Sequence, residues 1–215
     1  MIPPEPKDGA RLQSDCEAVR AVYPHLHVEV QEERPVLLGT IKIASDCGVE
    51  RSVQIRVELL ANHPLHEPKV FDDADQFRHS AARHFFPDGR CCLWLSMSSE
   101  WKADDPNALL HFLRQTTIFF DKQFIYDVIG RWPGKAWGHN EMGYREWLCE
   151  RLAIPMTQFR RFAPIWGGHG RWGATAPCPC GSGLKYRRCH RARIEAINQL
   201  LSDPGDLKWV RRACR

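Results

Sequence analysis

Four metal-ligating side chains fall within 13 residues late in the sequence. They are Cys178, Cys180, Cys189 and His190, in Cys-Pro-Cys-Gly-Ser-Gly-Leu-Lys-Tyr-Arg-Arg-Cys-His. Three thiolates and one imidazole suit tetrahedral zinc, and a full set of protein ligands leaves no open position for water, which marks a structural site. Gly181 and Gly183 let the backbone turn tightly between the ligand pairs. Three thiolates around one divalent cation leave a formal charge of −1. Lys185, Arg187, Arg188 and Arg191 stand ready to neutralise it. The bland alternative, a loop of plain thiols, leaves the density of ligand-type residues unexplained.

A second chemistry-bearing run is His84-Phe85-Phe86-Pro87-Asp88-Gly89-Arg90-Cys91-Cys92-Leu93-Trp94-Leu95, followed by Trp101. Neighbours on an extended segment point to opposite faces. If Cys91 and Leu93 face a core, Cys92 faces outward, so one cysteine packs and the other is free to act as a nucleophile. On composition alone, the favoured reading is that both are buried core thiols. Ser96, Ser98 and Ser99 form no Ser/His/Asp pattern, and no glycine-rich phosphate loop is present.

The elements that must position these residues are legible in outline. The chain has 215 residues, 43% hydrophobic and 26% charged, which is enough apolar material for a well-buried core plus a small module. Eight Trp and ten Phe exclude disorder throughout. No run approaches the roughly 18 uncharged apolar residues of a membrane span, and Met1-Ile2-Pro3-Pro4-Glu5-Pro6 lacks the features of an export signal. The expectation is a cytoplasmic protein without membrane partners. In a reducing compartment the odd count of nine cysteines argues for packing, ligation or nucleophilic roles rather than disulfides. Residues from Phe159 to Arg215 carry 12 Lys/Arg against 3 Asp/Glu, whereas the remainder carries 18 against 23. An acidic body with a basic tail suggests two units with different partners.

Leu12, Cys16, Val19 and Tyr23 recur at helical spacing up to Pro24. Leu26, Val28 and Val30 then alternate as a strand. Val36 to Ala44 gives a second, with Leu37, Ile41 and Ile43 on one face. Val53, Ile55, Val57 and Leu59 give a third, and Val70-Phe71 a short fourth. One helix followed by sequential strands predicts an α+β fold built on an antiparallel meander. Asp105 as N-cap and Pro106 at the first helical position open a helix carrying Leu109, Leu110, Phe112, Leu113, Ile118 and Phe119. Asn140 caps another, with Tyr144, Trp147, Leu148 and Leu152. Pro155, Pro164 and the glycines from 167 to 173 read as linker, and a last helix runs from about Arg191 to Leu201.

The Cys/His run resembles the zinc-binding (SEC-C) motif at the C-terminus of the SecA translocase, a module appended to many bacterial proteins. The resemblance implies one structural Zn2+ per chain and a role in docking protein partners. The basic surroundings would also suit nucleic acid, but a solvated face balancing the zinc site is the preferred reading.

The order of the earlier elements resembles the ubiquitin-conjugating (UBC) enzymes over roughly residues 10 to 150. The matching pieces are His63-Pro64-Leu65-His66-Glu67-Pro68-Lys69-Val70, Gly89-Arg90-Cys91-Cys92-Leu93 and Trp101. The resemblance implies a UBC-like fold: an N-terminal helix, a four-stranded antiparallel meander and C-terminal helices, here followed by a small zinc knuckle. It divides the chain into a catalytic domain over 10–155, a linker over 156–175 and a SEC-C-like module with a basic helix over 176–215. No Asn follows His84, and the loop to Cys92 is shorter than in the eukaryotic enzymes. Gly130-Arg131-Trp132-Pro133-Gly134 with His139 instead resembles bacterial relatives encoded in ubiquitin-like conjugation or antiphage operons.

On this register Cys92 accepts the C-terminal acyl group of a ubiquitin-like protein, or of another protein, as a thioester. It then passes the group to an amine on a protein target. His84 and His139 are the expected bases or oxyanion stabilisers. Asp88, Asp121 and Asp127 are weaker candidates for orienting the amine, and Trp101 is expected to pack beside the cysteine loop. ATP would be used by a separate activating enzyme. The rival readings are a non-catalytic UBC-fold adaptor and a zinc-dependent module that binds protein or nucleic acid.

Overall fold

The computed structural model describes residues 9–32, 34–44, 50–95, 101–166, 172–201 and 204–214. Helix α1 (Gly9–Val22) is followed by strands β1 (Leu26–Gln31), β2 (Arg34–Ala44), β3 (Glu50–Glu58) and β4 (Lys69–Asp72). They form one antiparallel sheet in the order β1-β2-β3-β4, the meander expected from the sequence. Helices α2 (Ala108–Ile129), α3 (Asn140–Leu152), α4 (Phe159–Trp166), α5 (Arg191–Leu200) and α6 (Pro204–Ala213) follow. This is the α+β element order that the resemblance to ubiquitin-conjugating enzymes implies, with the Cys/His knuckle between α4 and α5. Among the described residues, no helix is long and apolar enough to cross a membrane.

The chain divides into two compact units, 1–93 with 100–135 and 94–99 with 136–215. In the first, Val53, Ile55, Val57 and Leu59 are fully buried, and Leu37 and Ile41 opposite them on β2 are equally so. Strict period-two burial of this kind fixes the register, since a one-residue slip would send the whole apolar set to solvent. Gly39 allows a close crossing: its φ is 133°, and a Cβ there would sit 2.0 Å from the His25 carbonyl oxygen. Helix α2 buries Leu109, Phe112, Leu113, Thr116, Phe119, Phe120 and Gln123, the stripe expected of an amphipathic helix on a sheet. It begins later than the sequence suggests. Asn107, not Asp105, occupies the N-cap, and Asp105 Oδ1 accepts the Asn107 N–H at 2.8 Å in the preceding turn. That bond holds the Asp105 carboxyl below its ordinary value.

A buried polar knot ties α1 to the segment leading to β4. Asp15 accepts Arg11 Nε at 2.9 Å and lies 2.7 Å from His63 Nε2, while Arg11 also reaches the Asp105 carbonyl at 2.5 Å. Trp101 Nε1 donates to the Pro64 carbonyl at 2.9 Å, which fixes the same segment from the other side.

The second unit has its own core. Trp147, Leu148 and Leu152 of α3, Phe162 of α4, Ile194 and Ile197 of α5 and Val210 of α6 are all buried in it, together with Cys178. Tyr144 donates to Asp206 Oδ1 at 3.0 Å, and Trp166 Nε1 donates to Asn198 Oδ1 at 2.8 Å. The structure groups the chain differently from the division expected at 155 and at 175. Residues 140–152 pack with the Cys/His tail, and the expected linker contains α4, whose Phe159, Phe162 and Trp166 are buried. The physical reason is size. The tail alone is too short to close a core, and the apolar faces of α3 and α4 complete it. The linker glycines Gly167, Gly168 and Gly170 lie outside the described residues. Helix α3 also begins differently from the expectation, with His139 at the N-cap and Asn140 inside.

Ala153 ends α3 in the left-handed conformation, with φ 54° and ψ 50°. Glycine meets that requirement without steric cost. Ala153→Gly is expected to raise stability by about 1 kcal/mol, measured by denaturant unfolding. A loss of stability would show that the helix end is held by something other than its own cap.

Candidate functional site

Cys92 sits where a turn folds back on β4. The turn Phe86–Gly89 closes with Gly89 N–H to the Phe86 carbonyl at 3.1 Å, and Gly89 takes φ 81°. A Cβ at Gly89 would sit 2.9 Å from His79 Cε1, so that ring would have to shift, and the positive φ itself favours glycine. Beyond the turn, Cys91 N–H donates to the Val70 carbonyl at 2.8 Å, and Cys92 N–H donates to the His84 carbonyl at 2.7 Å. Cys91 is buried at 7% exposure, whereas Cys92 is half-buried. The two side chains thus differ in the sense that strand alternation suggests.

His84 is brought to Cys92 by its backbone. It follows the 3-10 turn Ala81–Arg83 in the left-handed region, at φ 57°. Its ring packs on Trp132, with centroids 4.4 Å apart, and Trp132 rests on Phe119 of α2 at 5.5 Å. The Gly130–Gly134 motif therefore closes on the same corner as His84. His139 belongs to the second unit, where it lines an open surface depression with Asn140, Glu141, Met142, Arg145 and Arg212. Of the expected acids, Asp127 pairs with Arg83, and Asp88 Oδ1 accepts the Arg90 N–H at 3.2 Å. The Trp101 ring lies 6.3 Å from that of Phe112 and 5.8 Å from that of His63, between centroids.

Burial pushes the Cys92 thiol above its ordinary value; Arg90 opposes this and Glu67 reinforces it. Burial pushes Cys91 well up, with Asp72 and Cys92 adding to the effect. After burial, Arg90 and Glu67 are the charges that act on the Cys92 thiol, and neither is singled out by residue type in the sequence. Glu67 lies within the Pro64–Pro68 turn, whose placement depends on the Trp101 bond. Removing a negative charge favours a thiolate, so Glu67→Gln is expected to speed alkylation of Cys92 by iodoacetamide about twofold or more at pH 8. Arg90→Gln should slow it. Peptide-resolved mass spectrometry reads both, and unchanged rates in both variants would mean that solvent screens these charges.

The Cys/His cluster forms at the edge of the second unit's core. The candidate ligand atoms of Cys178, Cys180, Cys189 and His190 all lie within 4.8 Å of one another. His190 Nδ1 is 3.3 Å from Cys178 Sγ and 3.1 Å from Cys189 Sγ, and Cys180 Sγ is 3.6 Å from Cys189 Sγ. Zinc bonds of about 2.3 Å to sulfur and 2.0–2.1 Å to nitrogen require tetrahedral edges of about 3.5–3.8 Å, so the short pairs would open slightly and the wider ones close in around the ion. Gly181 and Gly183 both take positive φ, 76° and 75°, as the turn between the ligand pairs requires. Burial raises Cys178 to about 11. Burial also opposes ionisation of Cys180, but hydrogen bonds from Ser182 and the neighbouring thiols outweigh it and bring that thiol down to about 6. Arg191, one of the cations expected to balance the site, pairs with Glu195 at 2.7 Å. His190 Nε2 lies 3.0 Å from the Leu152 carbonyl, a contact with a backbone atom that residue types do not reveal.

Residues 175–192 match the SEC-C motif, so the chain carries that motif around these four side chains. Among solved structures, the chain is similar to the yeast Vps23 UEV domain in complex with a Vps27 PSDP peptide. The identity is 14%, the match covers 63% of this chain and 89% of that one, and the TM-score is 0.43. It is also similar to the Vps23 UEV in a complex with ubiquitin, at 13% identity, covering 53% of this chain and 83% of that one with a TM-score of 0.35.

Proposed function

We propose that this protein is a ubiquitin-conjugating-like transferase with Cys92 as its thioester cysteine and a zinc-bound SEC-C motif as a docking element. The observation that carries the reading is the split between adjacent thiols. Cys91 is buried in the core, while Cys92 is partly accessible on a segment bonded to His84. In the proposed reaction the Cys92 thiolate attacks the carbonyl of an activated acyl donor, a ubiquitin-like protein or another protein C-terminus, and expels the thiolate of the activating enzyme. A target amine then attacks the new thioester, Cys92 leaves as thiolate, and the amine's proton passes to a base. His84, whose carbonyl accepts the Cys92 N–H, is the candidate for that base or for steadying the oxyanion. ATP is consumed by the separate activating enzyme. Zinc held by Cys178, Cys180, Cys189 and His190 supplies structure. The setting that suits these parts is a bacterial ubiquitin-like or antiphage operon.

A specific observation favours a second reading, a non-catalytic adaptor of the same fold: the Cys92 thiol is raised rather than lowered. The deciding experiment is to quench cells expressing the protein in acid and look for a covalent adduct under non-reducing conditions. An adduct on the Cys92 peptide that disappears with excess thiol supports transfer. Stable, non-covalent capture of a ubiquitin-like protein with no adduct supports the adaptor.

A further inference from the structure

We propose that the metal site is the keystone of the whole second unit: an ion held by His190 locks the end of α3 and the seating of α4, both outside the SEC-C motif. The proposal rests on the zinc reading above. It extends that reading from a local knuckle to residues 140–166.

The link runs through the Leu152 carbonyl. It lies in the last turn of α3, where carbonyls lack partners within the helix. Two side chains reach it, His190 Nε2 of the knuckle at 3.0 Å and Arg193 Nη1 just beyond the motif at 2.9 Å. For His190 to donate from Nε2, a neutral ring must leave Nδ1 as the lone-pair nitrogen. Nδ1 is the atom that faces Cys178 Sγ and Cys189 Sγ, so ligation and the bond to α3 demand the same tautomer. Without an ion, only the Leu152 contact and weak thiol donors favour that tautomer, and in the other one two acceptors face each other at Leu152.

Packing carries the same link to α4. The His190 ring meets Phe162 edge to face at 5.0 Å, and Phe162 is fully buried. Cys178 and Tyr186 of the motif share one core with Leu152, Phe162, Ile194 and Ile197. Helix α4 has only 8 residues and contains Pro164, so it depends on that core for its order.

The test compares hydrogen exchange in the full-length protein with one equivalent of zinc and after chelator stripping, read by mass spectrometry. Peptides covering 140–166 are expected to exchange at least about tenfold faster after stripping, as peptides covering 178–200 should also do. Those covering 50–58 should not change. His190→Cys retains four ligands but loses the N–H donor. It is expected to hold one zinc by elemental analysis while peptides ending at 153 exchange roughly tenfold faster than in the zinc-loaded parent. Zinc uptake with unchanged exchange over 140–166 overturns this proposal alone. Failure of the parent protein to take up zinc overturns the metal reading and this proposal with it.

Discussion

Cys92→Ser is expected to reduce acyl transfer to background while leaving the fold intact. A serine hydroxyl is a far weaker nucleophile than a thiolate. Any adduct that does form is an oxyester that resists excess thiol and accumulates. Cys92 is half-buried, so exchanging sulfur for oxygen there disturbs little packing. Cys91→Ser should do the opposite. Cys91 is 7% exposed, and a poorly satisfied hydroxyl at its position should cost roughly 1–3 kcal/mol of stability while transfer persists in the folded fraction. The pair is read by adduct formation alongside denaturant unfolding. If folded Cys91→Ser loses transfer while Cys92→Ser retains it, the register is shifted by one residue and the buried thiol is the reactive one.

The second large effect concerns the ligand set. About one zinc per chain is expected by elemental analysis, falling to near zero in Cys178→Ser/Cys180→Ser. Trp147 and Trp166 are buried, at 1% and 7% exposure, in the core to which Cys178 contributes. Loss of the site should therefore expose them, seen as a red shift in tryptophan emission. Peptides from β3 should stay protected against exchange, because Val53, Ile55 and Val57 belong to the first unit's sheet. An ordered second unit with no metal in the double variant would refute the ligand assignment.

Much of this was legible because the relevant signals are local. The alternation from Val53 to Leu59 and the apolar stripe of α2 each state their own burial. The 13-residue spacing of the Cys/His run states its own chemistry. Where sequence reading fell short, the missing information was non-local or carried by the backbone. Phe159, Phe162 and Trp166 look like scattered aromatics between Pro155 and a glycine-rich stretch, and only the facing residues of α3 and α5 turn them into a helix with a buried side. The sequence reading stops at a helix ending near Leu201, yet Pro204 opens a further helix, α6, where a first-turn proline costs nothing. Asp105-Pro106 looks like a helix start, but Asp105 satisfies the turn before it. His139 stands close in sequence to the Gly130–Gly134 motif, and no local pattern reveals that the chain changes core at residue 136. The Leu152 carbonyl has no residue-type signature at all.

The first unit is interrupted after residue 93 by a short stretch lent to the second, and it resumes at residue 100 to continue to residue 135. Within the second unit, that stretch places Leu95 against the core and against Gly143. Units threaded in this way cannot be parted by one break in the gene. A crossover at any single codon gives each descendant at least one incomplete core. Exchange of one half between relatives would require coordinated breakpoints, so selection would tend to pass the pair on together rather than shuffle them like beads on a string.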